Sequence, residues 1–263
     1  MGKYRAAIQY LGARYAGWQV QVGQPTVQGR LQEALARVSG ETTSVVGAGR
    51  TDAGVHALGQ VAHFRLERMM NAEKLKRGLN GVLPGDIRIV ALRRAAANFH
   101  AQKDALKKRY SYRIYNGPVL SPFLRGRVDH VVPRLDVEAM QQGAELVLGR
   151  HDFSGFAAAA AAALDRRRTV FLSQWKKKGR SLRYDIEADG FLHHMVRNIV
   201  GTLLQVGLGK RPPADVSTIL GSRDRRNAGP TAAPCGLYLV RVWYPIDTED
   251  LWGSALGPGR MMV

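Results

Sequence analysis

Residues 4–10, YRAAIQY, place Tyr4, Ala6, Ile8 and Tyr10 on one side of an extended chain, and this period of two predicts a strand. The period then changes. Beyond Thr26, a suitable N-cap, Val27, Leu31, Ala34, Leu35 and Val38 recur at helical spacing until Gly40 stops them. Strands are predicted over 42–47 and 60–66, a helix through Ala72, Leu75, Leu79 and Val82 ending before Pro84, and a strand over 86–92. The order β-α-β-β-α-β then recurs. RYSYRIYN (109–116) reads as a strand, and Asp136 caps a helix through Met140, Ala144, Val147 and Leu148. Residues 170–178 and 181–188 form a hairpin around Gly179, followed by a helix over about 191–207 and a strand over 236–244. Each half matches the ferredoxin-like supersecondary unit, so the predicted fold is α/β (α+β), with two such units whose antiparallel sheets sit side by side. The polar stretch AQKDALKK marks the boundary near residues 100–107. The expected domains are therefore 1–104 and 105–245, with a tail over 246–263.

Charge narrows the partner. Lys and Arg number 39 against 21 Asp and Glu, a net charge of +18 at pH 7, and the usual partner of such an excess is a polyanion. A sheet with helices on one face leaves its other face for a nucleic acid. No apolar run reaches the roughly 20 residues of a membrane span, and MGKYRAAIQY has no signal-peptide core. The expectation is a cytoplasmic protein with no membrane partner. The single cysteine, Cys235, excludes an intrachain disulfide and a cysteine metal cluster, and reads as a small hydrophobe.

The candidate chemistry lies in GAGRTDAGVH (47–56), three glycines around Arg50, Thr51 and Asp52. It is not a nucleotide loop: Asp52 sits where a dinucleotide fingerprint needs its third glycine, and no phosphate-loop Lys-Ser/Thr follows. His56, His63, His193 and His194 form no helical His-x-x-x-His pair, so they read as structural, and no metal or other cofactor is expected. No Gly-x-Ser-x-Gly elbow is present. What is left is one carboxylate beside a guanidinium: Arg50 would keep Asp52 ionised, and an ionised carboxylate can attack and leave again. Capping of backbone N–H groups by Asp52 is the competing reading of the same ten residues.

GAGRTDAGVHALGQVAHF (47–64) resembles the active-site motif of the tRNA pseudouridine synthase A family. YAGWQVQ, TVQGRLQEAL, LPGDI, FHAQ, KKRYSYRIYN, HDFSGF, FLHHMVRNIVGTLLQVG and GLYLVRVWYP resemble further blocks of that family in the same order, over nearly the whole chain. The resemblance implies an isomerase that converts uridine to pseudouridine at positions 38, 39 and 40 of the tRNA anticodon stem-loop. It also implies a homodimer, a central active-site cleft and no cofactor.

By the same resemblance Asp52 is the nucleophile and Arg50 helps to bring the target base out of the stack. Tyr112, the second tyrosine of RYSY, would stack on the uracil and take a proton, although Tyr110 shares its strand face and either could be core. Arg197 would pair with the nucleophile, and Leu237 and Leu239 would line the uracil pocket. Lys107, Lys108, Arg109, Arg166, Arg167 and Arg168 are the expected RNA-binding cations, with further clusters at 176–178 and 223–226. The chain departs from the family pattern at Leu11, where Asp is usual, at Val20, where Arg is common, and at the alanine-rich stretch 157–163, usually polar. Two other functions fit the same charge and fold: a pseudouridine synthase acting on another RNA, and a non-catalytic RNA-binding protein.

Overall fold

The computed structural model describes residues 1–158 and 165–245. Its described residues divide into two compact units, one of Met1–Leu106 with residues 239–245, the other of Lys107–Tyr238. In the first unit, β1 (Gly2–Tyr10), α1 (Val27–Ser39), β2 (Val46–Gly47), β3 (His56–Leu66), α2 (Ala72–Val82) and β4 (Ile87–Arg94) follow the expected order. Strand β1 pairs antiparallel with both β3 and β4. Thr26 caps α1 by accepting from the Gly29 N–H at 3.2 Å, and Gly40 ends the helix at φ 77°. Val27, Leu31, Ala34 and Leu35 are the buried face of α1, as the spacing predicts, and Leu75 and Leu79 are that of α2.

Residues 42–45 are not strand. Gln32 and Gln28 of α1 donate side-chain hydrogen bonds to the carbonyls of Thr43 and Val45, at 3.3 and 2.7 Å, and take acceptors that a ladder would use. Strand β3 in turn begins four residues earlier than expected, at His56.

The second unit opens with β5 (Lys107–Tyr115), β6 (Asp129–His130) and α3 (Val137–Glu145), then adds a short strand, β7 (Gly149–Asp152), that the pattern did not predict. The hairpin of β8 (Arg167–Lys178) and β9 (Ser181–Ala188) follows, then α4 (Met195–Gly207) and the unforeseen α5 (Asp215–Ser222). Strand β9 lies between β5 and β8, antiparallel to both. Helix α3 covers one face of this sheet, where the Ser173 hydroxyl donates to the Ala144 carbonyl at 2.6 Å and the Trp175 N–H to the Gln141 side chain at 2.8 Å. The last strand, β10 (Leu237–Trp243), corrects the expected domain boundary: from Leu239 onward it packs in the first unit beside β3. Tyr244 anchors the end of β10 there, its hydroxyl donating to the Ala101 carbonyl at 2.6 Å. The expected tail (246–263) and most of the alanine-rich stretch, residues 159–163, lie outside the described residues.

Candidate active site

Asp52 sits in the connection between β2 and β3, and this connection is fixed by the backbone on both sides of it. The Trp18 N–H donates to the Thr51 carbonyl at 3.0 Å, and the Gly54 N–H donates to the Tyr15 carbonyl at 3.3 Å. Between them the Asp52 carbonyl accepts from the Val55 N–H at 3.1 Å, closing a four-residue turn whose third residue, Gly54, has φ 78°. Gly17 lets the two segments touch, since a Cβ there would lie 2.6 Å from the Thr51 carbonyl oxygen. Thr51 turns inward to bond the Tyr10 hydroxyl at 2.8 Å, and burial raises that phenol to about 12. Gln60 donates to the Gly49 carbonyl at 2.9 Å and closes the other arm.

The Asp52 side chain is left half-buried at the outside of a loop that has little freedom. Arg50 is exposed and, among the described residues, forms no ion pair, so the expected Arg50–Asp52 pair is not made. An exposed guanidinium keeps its hydration, and fixing it on a carboxylate costs side-chain entropy for a small Coulombic return. Leu239 is fully buried.

In the second unit Tyr112, Arg197 and Leu237 converge on one segment. Arg197, on α4, donates from Nε to the Ala232 carbonyl at 2.8 Å, and its own carbonyl accepts from the Ala232 N–H at 3.0 Å. The Tyr112 hydroxyl lies 2.8 Å from an Asp129 carboxylate oxygen and 2.9 Å from the Ala233 carbonyl. Leu237 follows directly after the turn over 234–236 and is 5% exposed.

Tyr112 itself has no exposed surface, and its ring lies against Gly236, where a Cβ would come within 2.7 Å of it. Burial, and then the Asp129 charge, push its hydroxyl far above the ordinary phenol range. A neutral phenol already donating to a carboxylate cannot take a proton, and a covered ring offers no face to a base. The stacking role expected of Tyr112 therefore has no surface here. Tyr110, its neighbour on the same strand face, is 7% exposed and meets Phe191 edge to face at 5.0 Å. Asp129 and Phe191 were not singled out by the sequence. His194, the residue immediately before α4, holds a left-handed φ of 63°, the strained region for a side chain of this size, and its ring lies 3.9 Å from that of His193.

Comparison with known proteins settles the family. The tRNA pseudouridine synthase family matches residues 6–102 and 144–245. The chain belongs to the tRNA pseudouridine synthase family. Among its relatives, tRNA pseudouridine synthase A of Syntrophomonas wolfei is 43% identical over 95% of this chain and 100% of its own length. The proteins of the same name from Myxococcus xanthus and Pseudomonas aeruginosa are each 44% identical, over 93% and 95% of this chain and 92% and 88% of theirs. As a pseudouridine synthase the chain is an isomerase, and none of its described helices is long and apolar enough to cross a membrane.

The six cations expected to bind RNA divide by how they are held. Lys107 and Arg109 both pair with Glu187, a carboxylate buried on β9, the lysine at 3.2 Å. Arg167 pairs with Asp165 at 3.1 Å, while Arg168 donates to the carbonyls of Asp165 and Arg167 at 2.9 and 2.6 Å. Arg166 accepts through its carbonyl from the Phe153 N–H at 3.1 Å. Lys108 is half-buried, and desolvation together with the Arg168 charge lowers its ammonium to about 8. Two of the four expected structural histidines are seen in that role: His56 accepts at Nδ1 from the Gly12 N–H at 3.0 Å, and His63 from the Ala101 N–H at 3.1 Å. Cys235 is half-buried, its thiol 3.4 Å from the Val128 carbonyl and raised by burial and Asp129.

Proposed function

We propose that this enzyme isomerises uridine to pseudouridine at positions 38, 39 and 40 of the tRNA anticodon stem-loop, with Asp52 as the nucleophile. The observation that carries the reading is the fixed turn at Asp52, held through Thr51 and Gly54, in a chain of the pseudouridine synthase family. A carboxylate fixed in this way is preorganised to attack and to leave. In the reaction the glycosidic C1′–N1 bond breaks, the uracil turns, C1′–C5 forms, the proton leaves C5 and N1 gains one. Atoms and electrons balance within the nucleotide, so the residues need only bind, orient and move protons.

Arg50, exposed on the arm of the loop, is the group proposed to displace the target base, a role its lack of an ion pair leaves open. Arg197 is the active-site cation of the second unit, and the strained His194 at the entrance to its helix is the kind of feature that functional sites retain. Leu237 and Leu239 are proposed to bound the uracil from their strand. Tyr112, whose ring is packed against Gly236, is proposed to support the site from behind its lining. The basic composition supports tRNA as the partner, and a cytoplasmic homodimer is its proposed working form, to be checked by mass measurement in solution.

The test is conversion of an unmodified tRNA transcript carrying uridines at 38–40, mapped nucleotide by nucleotide. Asp52→Asn is expected to lower turnover at least ~10³-fold while the transcript still binds. Turnover retained by that variant removes Asp52 from the mechanism. Conversion at other positions, or in another RNA only, replaces the proposed substrate, and binding without conversion by the wild type leaves a binding protein.

A further inference from the structure

Most of the second unit's cationic clusters are committed within the fold. Lys107 and Arg109 hold Glu187, Arg167 holds Asp165, Arg211 holds Asp215, Arg223 holds Asp152 and Arg226 holds Asp224. The tip of the β8–β9 hairpin is different. Lys176, Lys177, Lys178 and Arg180 put four cations in five residues, all exposed, and among the described residues none of them makes an ion pair.

The register makes this costly in the free protein. Lys176 lies directly opposite Arg183, and Arg183 directly opposite Arg113 on the next strand, so three cations stand in one row across β8, β9 and β5. Like charges at facing positions repel. Arg183 is relieved by Asp185 at 3.0 Å, and Arg113 lies 4.2 Å over the Tyr238 ring, but Lys176 has neither relief. Lys176 and Lys178 project from the same face of β8, the face opposite the one where Ser173 and Trp175 meet α3. They stand about 7 Å apart along the strand, a spacing suited to successive phosphates and too wide for one small anion.

The tip is also rigid. The ladder runs to its last pair, Lys178 with Ser181, the turn is two residues long with Gly179 at φ 59°, and the Arg180 carbonyl accepts from the Asn116 N–H at 2.7 Å. Charges presented on a fixed tip lose little freedom on binding.

We propose that the β8–β9 hairpin tip is a phosphate-contacting arm for the tRNA backbone, with Lys176, Lys178 and Arg180 as its contacts and Arg183 and Arg113 behind them. The proposal rests on tRNA being the substrate and adds where its backbone is held. The contacts are electrostatic, so they set affinity and salt dependence and carry no choice of nucleotide.

The experiment is a salt titration of the affinity for an unmodified tRNA transcript, run on the full-length protein. It compares the wild type, a Lys176→Gln/Lys178→Gln/Arg180→Gln variant, and a control in which Arg68, Lys74 and Arg77, exposed residues of the first unit, are changed to Gln. The hairpin variant is expected to lower the slope of log affinity against log salt by about two, to weaken binding about tenfold or more near 0.1 M salt, and to raise KM more than it lowers kcat. The control is expected to leave the slope as in the wild type. Equal slopes for hairpin variant and wild type, or the same loss in the control, overturn the proposal. A lower slope in the hairpin variant, together with a wild type that converts no uridine, would sink the functional reading and leave the arm in place.

Discussion

His63 is placed by β3 among cations and aromatic rings, with 8% of its surface exposed. Its Nδ1 accepts the Ala101 N–H, so protonation at that atom would break a buried hydrogen bond. Burial lowers its pKa to about 4, and the neighbouring Lys3, His100 and Arg65 act in the same direction against the weaker pull of Asp104. A folded pKa below the ordinary histidine value means the unfolded chain binds more protons between the two. The stabilisation from a neutral His63 is therefore complete above about pH 6.5 and is lost as the pH falls towards 4. The denaturation midpoint should drop over that interval, and His63→Gln, which keeps an acceptor without a titrating ring, should flatten the drop. Identical profiles for the two proteins would remove His63 from the account. The tyrosines show where residue-level reading stops. Period two puts Tyr110 and Tyr112 on one face of β5, but what covers Tyr112 is Asp129, Ala233 and Gly236, the Ala233 partner 121 residues away.

At the scale of elements, the segment from Leu11 to Trp18 braces the loop that carries Asp52. It grips the loop through Tyr15 and Trp18, reaches α1 where the Val27 and Gln28 N–H groups donate to the Gly17 and Trp18 carbonyls, and is bolted from below by Asp86. The Tyr15 hydroxyl donates to the Asp86 carboxylate at 2.5 Å, and the Leu11 N–H donates to the Asp86 carbonyl at 3.0 Å. Burial and the adjacent carboxylate raise the Tyr15 phenol, which stays a donor at any working pH. Tyr15 and Asp86 are thus positioning residues for Asp52. Asp86→Ala and Tyr15→Phe should each lower kcat about 10- to 100-fold, since small misplacements of a reacting group cost that much. KM for tRNA should move little, and the double variant should lose no more than the worse single one. Melting curves decide the alternative: activity that falls only with the folded fraction would make the pair merely structural. The caps at Thr26, Gly40 and Asp136 were legible because capping is local. The fate of residues 42–45 was not, because glutamines of α1 compete for their carbonyls.

Over the whole molecule, the two-fold recurrence of strands and helices and the excess of positive charge could be read directly, being sums over many residues. Long-range partners could not: β10 follows the second unit in sequence, yet from Leu239 it packs with the first, and α4 starts at Met195 because His194 is left-handed. The Asp52 loop was legible as a motif, while the hold on it from Tyr15, Trp18 and Asp86 was not. The charge has two consequences that salt separates. A chain at +18 repels itself when folded, and it attracts a polyanion. Raising the salt shortens the screening length from about 10 Å at 0.1 M to about 3 Å at 1 M, and so weakens both effects. The exposed pairs Arg167–Asp165 and Arg226–Asp224 weaken too, but surface pairs contribute little, and the Glu187 pairs are buried enough on the carboxylate side to be screened less. Net repulsion should therefore dominate the free protein. Between 50 and 300 mM NaCl its melting temperature should rise by about 2–4 °C, the shift expected for ~1 kcal/mol in a chain of this size. Over the same range KM for tRNA should climb steeply, because each phosphate contact releases counterions into a medium already full of them. A melting temperature that falls with salt would mean that internal ion pairs outweigh the repulsion of the excess charge.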